Sequence, residues 1–132
     1  MPVVSASYYL QHDAGIVMVT ARAAPGRRDE VADAVLAEVR RLVDEGVEPD
    51  ELARALTAIE ASHAFGYETA EGVAYAVGLA QTVFDLDFEL TWMERVRQVT
   101  AAQVREAAAR YLDGGGVTVA TLGPGPDAAP GA

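Results

Sequence analysis

The sequence predicts an α+β fold: an antiparallel hairpin plus a C-terminal strand forming a sheet, with about five helices packed on it. Three observations predict it. Near the start, Val3 to Leu10 alternates with a period of two and Ile16 to Thr20 is a second β-branched run. From Val31 onward the period becomes helical, and a last β-branched run spans Val117 to Leu122. The helical stretches cluster instead of alternating with strands, which favours α+β over a doubly wound sheet.

The first strand is Val3 to Leu10, with Val4, Ala6, Tyr8 and Leu10 on one face and Val3, Ser5, Ser7 and Tyr9 on the other. Gln11-His12-Asp13-Ala14-Gly15 is turn-like, and Ile16 to Thr20 is the second strand. Ala24-Pro25-Gly26 ends it. The first helix follows from Val31, Val35, Val39 and Leu42, with Gly46 as its stop. Pro49 suits the first position of a second helix that carries Leu52, Leu56 and Ile59 on one stripe. The third helix, Thr69 to Phe84, is Ala-rich, and the fourth aligns Phe88, Trp92, Val96 and Val99. Thr100-Ala-Ala-Gln103 is a capping-box sequence opening the fifth, and Gly114-Gly115-Gly116 closes it.

The chain has 132 residues, enough for one domain that buries roughly two-thirds of its unfolded surface. Residues 1–122 read as that domain and 123–132 as a disordered Pro/Gly/Ala tail. Hydrophobic content of 51% excludes a chain disordered throughout, and 26 alanines favour helix. With no cysteine there is no disulfide, thiol nucleophile or thiolate metal site. All ten basic residues are Arg against twenty Asp and Glu, giving a net charge of -10 and no basic cluster. No nucleic-acid or membrane partner is expected from that balance. Met1 to Leu10 lacks the basic start of a signal peptide, and no apolar run approaches the roughly 18 residues a span needs. A soluble, cytoplasmic protein is expected.

The candidate chemistry reduces quickly. Glu60-Ala-Ser-His63 has Glu-x-x-His spacing, but di-iron bundles need two copies and two further Glu, and one copy is present. His63 also falls on the apolar stripe of the second helix, which favours packing over ligation. His12-Asp13 in the hairpin connection would need Ser5 or Ser7, an orienting acid and an oxyanion hole to make a triad, and no nucleophile elbow is present. Gly114-Gly115-Gly116 follows a helix and lacks the Lys of a phosphate loop. The acidic run Asp44, Glu45, Glu48, Asp50 and Glu51 lacks EF-hand spacing; Asp50 and Glu51 suit the positive end of the second helix. The Phe88, Trp92, Val96 stripe reads as core. No catalytic or metal-binding residue is assigned, and no substrate-binding residue is identified.

The ordered motifs resemble the insulinase (pitrilysin) family of zinc metallopeptidases, which includes the mitochondrial processing peptidase. The matching stretches are Ser5-Ala6-Ser7-Tyr8 to Gly15, and Gly46-Val47-Glu48-Pro49-Asp50-Glu51-Leu52-Ala53-Arg54-Ala55, where the family has Gly-Val-Thr, then Glu-Leu and Arg-Ala. Glu68-Thr69, then Val96-Arg97-Gln98-Val99-Thr100-Ala101-Ala102-Gln103-Val104, and finally Arg110-Tyr111-Leu112 and Leu122-Gly123-Pro124 follow in the family's order. The resemblance runs over about residues 3 to 124, and it is to the second half of one family domain, so 1–122 would be a partial domain. The family's zinc motif, His-x-x-Glu-His with its general-base Glu, belongs to the first half and is absent from this sequence. Nor does Met1-Pro2-Val3 hold the Arg and Tyr with which the family's non-catalytic domain holds substrate. The resemblance therefore implies a non-catalytic C-terminal portion of such a peptidase, inactive alone, that completes a peptide-binding chamber. Zinc would reside only in another region or a partner. The alternative is an independent protein-interaction module that kept the helical half of the fold. Expected partners are a second copy or a catalytic peptidase subunit, with peptide substrate met indirectly.

Overall fold

The computed structural model describes residues 3–83 and 85–123. Strands β1 (Val4–Tyr9) and β2 (Ile16–Ala21) are followed by helices α1 (Arg28–Asp44), α2 (Pro49–Gly66), α3 (Ala70–Val83), α4 (Leu86–Arg97) and α5 (Ala101–Tyr111). The α+β class, the hairpin and the five helices are as the sequence predicts. The strands pair antiparallel in the register Val4↔Ala21, Ala6↔Val19, Tyr8↔Val17, so Val4, Ala6, Tyr8, Val17, Val19 and Ala21 share one face. That face carries only apolar and aromatic side chains and is turned toward α1 and α5, because Val17 lies with Leu42 and Ala108. In the connection, the Tyr8 ring lies over Gly15, where a Cβ would meet its hydroxyl at 2.1 Å.

The C-terminal strand is not formed. Residues 117–122 carry no regular structure, and among the described residues the sheet stays two-stranded. Alternation supplies side chains for a strand, but it does not by itself bring the segment alongside a sheet edge where its N–H and C=O groups would pair. Val117, Val119 and Leu122 are accordingly exposed. Met1, Pro2, Phe84 and the tail from residue 124 lie outside the described residues, and so do the expectations placed on them.

Local signals account for the helix ends. Gly46 sits at φ +83 and donates its N–H to the Leu42 carbonyl at 3.1 Å, the αL stop that glycine adopts without a Cβ penalty. Glu51 reaches back to the Glu48 N–H at 3.0 Å with Pro49 in the first turn of α2. Asp85 caps α4 by accepting from the Phe88 N–H at 2.7 Å. The Thr100–Gln103 box opens α5: the Gln103 amide oxygen accepts from the Thr100 N–H at 2.9 Å, and the Thr100 hydroxyl from the Gln103 N–H at 3.3 Å.

Helix α5 packs on α1, α4 on both α3 and α2, and α1 on β2. The predicted stripes face inward, but they are only half covered: Val31, Val35, Val39 and Leu42 of α1, and Phe88, Trp92 and Val96 of α4, are all intermediate in exposure. Each such side chain recovers on the order of 1 kcal/mol, about half of what full burial gives. Among the described residues, Ala80 and Ala108 are the buried apolar side chains. The accessible surface is 10508 Å², whereas a compact chain of 13.9 kDa exposes about 6,700 Å². Many apolar side chains of the hairpin and helices therefore stay partly exposed.

Candidate functional site

One concavity lies beside this half-covered layer. It is a groove of about 690 Å³ between β2, α1, the end of α4 and α5. Val17 of β2 and Leu42 of α1 line it together with Val99, Val104, Ala107, Ala108, Tyr111 and Leu112. Arg95, Gln98 and Gln103 are its polar members. Two of these are already engaged: Gln103 caps α5, and the Arg95 guanidinium stands 5.5 Å from the centre of the Phe88 ring. The groove thus offers mainly apolar surface with the Tyr111 hydroxyl at its edge, and no His, Asp or Glu lines it. The sequence carried a signal for it: Val104, Ala108 and Tyr111 recur at four and three residues, a stripe on α5 that the reading of caps and stops passed over.

A smaller cleft of about 440 Å³ lies at the α2–α3 junction, between His63, Gly66, Tyr67, Glu71, Gly72 and Tyr75. Here the His63 ring stacks on Tyr67 at 4.5 Å and on Trp92 at 5.5 Å. The Tyr67 hydroxyl donates to the Glu89 carboxylate. That bond, aided by burial and the Glu89 charge, pushes the Tyr67 pKa up to about 12. A phenol whose pKa is raised on folding gives stability that is full below its unfolded value near 10 and lost as pH rises through 12. Tyr67→Phe is therefore expected to flatten the fall of stability between pH 10 and 12, measured by chemical denaturation across that range. An equally steep fall in the variant would show that the bond does not contribute.

The sequence candidates are scattered and locally satisfied. Glu60 and His63 do not act together: Glu60 accepts from Arg97 of α4 at 2.6 Å, while His63 is held in its ring stack. His12 faces Asp13 at 4.0 Å, both exposed in the hairpin connection. Ser5 and Ser7 lie within β1 opposite Thr20 and Met18. Glu51 of the acidic run meets Arg41 at 3.3 Å. Arg41 also donates to Glu38 at 2.9 and 2.7 Å and holds that carboxyl below its usual range. Gly114 has a positive φ and Gly115 donates to Asp113 at 3.1 Å, as a turn requires. Among the described residues no group of three or more His, Asp or Glu could hold a metal ion. With one histidine stacked and the other on an exposed turn, the donors present do not fit a zinc site. No helix among the described residues is long and apolar enough to cross a membrane.

Comparison with known proteins gives the fold its relatives. Residues 2–59 match the family described as the Peptidase M16 inactive domain. No curated protein matches the sequence. Among solved structures, the chain is similar to the inactive peptidase domain of a protein named as a zinc protease from Bordetella parapertussis. The TM-score is 0.73 at 26% identity, covering 83% of this chain and 59% of that one. It is similar also to a protein named as a zinc protease from Bordetella pertussis Tohama I, with a TM-score of 0.72, 26% identity, and coverage of 83% and 61%. This chain thus spans about three-fifths of the length of those structures. The resemblance read from the ordered motifs is borne out: the first part of the chain matches the M16 inactive-domain family, and the whole fold is similar to that of an inactive peptidase domain of a zinc protease.

Proposed function

We propose that this chain is the non-catalytic C-terminal portion of an insulinase-like zinc peptidase, completing a peptide-binding chamber while the zinc chemistry resides in another region or subunit. The observation that carries this reading is the open apolar groove on a fold whose relatives include an inactive peptidase domain. A wall of Val99, Val104, Ala107 and Tyr111 can exclude water and dock apolar polypeptide without taking part in bond cleavage. The absence of His-x-x-Glu-His from the sequence supports the same division of labour. The chain itself would bind, orient and enclose.

Purified alone and supplied with zinc, the chain is expected to retain only substoichiometric metal by elemental analysis and to leave fluorogenic peptides uncut. A tight one-to-one zinc complex with peptide hydrolysis would overturn the reading.

A further inference from the structure

We infer that the cleft at the α2–α3 junction takes the guanidinium of an arginine side chain presented by a partner polypeptide, held against the Tyr67 and Tyr75 rings and the Glu71 carboxylate. This goes beyond the proposed function, because no residue lines both this cleft and the groove.

Two pairs of side chains build the cleft. His63 lies in the last turn of α2 and Tyr67 follows four residues later at its cap; Glu71 and Tyr75 are four apart on α3. Each pair therefore shares a helix face. Gly66, Gly72 and Ala76 also line the cleft and add little bulk to it. Every lining residue falls between His63 and Ala76, so one continuous stretch of chain shapes the space. Its volume, about 440 Å³, lies within the roughly 300–1,000 Å³ of ligand clefts.

The walls are set before any ligand arrives. The Tyr67 hydroxyl donates to Glu89 of α4, and the Tyr67 ring stacks on His63, which in turn stacks on Trp92. The Thr69 hydroxyl accepts from the Gly72 N–H at 3.0 Å and fixes the start of α3. A site arranged in advance loses less to ordering when it binds. Tyr75 is 71% exposed, which leaves its ring open to an incoming group. Glu71 is the carboxylate that lines the cleft, and among the described residues it forms no ion pair.

These groups select a planar cation. Tyrosine faces carry negative charge density and attract a cation lying on them. Guanidinium is flat, weakly hydrated and always charged, so it stacks on a ring while its N–H fork meets a carboxylate. The charge of the surrounding chain agrees. From Ala55 to Glu94 there are seven acidic residues and no arginine, although the chain has ten arginines elsewhere. The field over this part of the molecule draws cations and repels anions. It therefore opposes the carboxylate of free arginine, which an arginine within a polypeptide does not carry.

The test is a titration of the full chain with Nα-acetyl-arginine amide, followed by Trp92 emission. Trp92 is the sole tryptophan and stacks on His63 of the cleft wall, so it reports occupancy there. A saturable change with a dissociation constant on the order of 1 mM is expected. The citrulline analogue keeps the shape, loses the charge and should give no response. Nα-acetyl-lysine amide and free arginine should bind more weakly. Glu71→Gln and Tyr75→Ala should each weaken binding about two- to fivefold. Tyr75→Phe should keep it, and so should Glu106→Gln, which removes an exposed charge from α5. Both cleft positions are exposed, so helical circular dichroism should not change. Amide NMR shifts at Glu71 and Tyr75 decide the matter should Trp92 stay silent. Absence of saturable change in both readouts would overturn the inference. So would equal binding of the citrulline, lysine or free-arginine probe, or binding indifferent to Glu71→Gln and Tyr75→Ala. The titration uses neither zinc nor the groove, so its failure leaves the proposed function standing, and failure of peptide hydrolysis leaves the cleft standing.

Discussion

Gly72→Ala is expected to lower the melting temperature by about 5–10 °C, as a cost of roughly 1–3 kcal/mol would in a domain of this size. A Cβ at Gly72 would lie 1.9 Å from the Gly66 carbonyl oxygen and 3.1 Å from its carbon. Both are backbone atoms, so no side-chain rotation relieves the clash, and the start of α3 must move off the end of α2. The movement would also open the cleft between Tyr67 and Tyr75. Gly78, in the middle of the same helix, is the control, since its Cβ would meet nothing within 4 Å. Gly78→Ala should raise stability by about 0.5–1 kcal/mol through helix propensity and reduced unfolded-state entropy. Equal effects of the two substitutions in thermal melts would show that the α2–α3 junction is not as tight as described.

Trp92→Ala is expected to cost about 2–3 kcal/mol, less than full aromatic burial because the ring is only half covered. Trp92 stacks on His63 and so joins α4 to α2, a contact shared with the Arg97–Glu60 pair. That pair is largely exposed and contributes little alone, so the ring contact is the main tie. A double-mutant cycle with His63→Ala should return a coupling of about 0.5–1.5 kcal/mol, measured by denaturant unfolding. A coupling near zero would mean that the rings adjoin without holding the helices together.

Much of the fold was legible because its signals are local. The Thr100–Gln103 box, Pro49 at a helix start and Gly46 at a helix stop each act within one turn. The packing role of His63 followed from its position on the α2 stripe, and its neighbours are indeed rings. What the sequence did not disclose depends on distance along the chain. The Tyr67–Glu89 bond joins residues 22 apart and has no periodic signature. The groove is made by Val17, Leu42 and Tyr111, which only tertiary packing brings to one surface. The run from Val117 to Leu122 is β-branched like a strand, yet a strand also requires that the chain be placed beside a sheet edge, which local pattern cannot report.

The measurement that tests the central claim most directly is reconstitution of peptide hydrolysis. This chain would be titrated into a chain carrying His-x-x-Glu-His from the same genome, and cleavage of a fluorogenic peptide followed. The account predicts that hydrolysis rises and saturates at one-to-one, and that Ala107→Glu, which puts a charge on the apolar wall of the groove, abolishes the rise. Hydrolysis unchanged by the addition, together with no heat of binding by calorimetry, would contradict it.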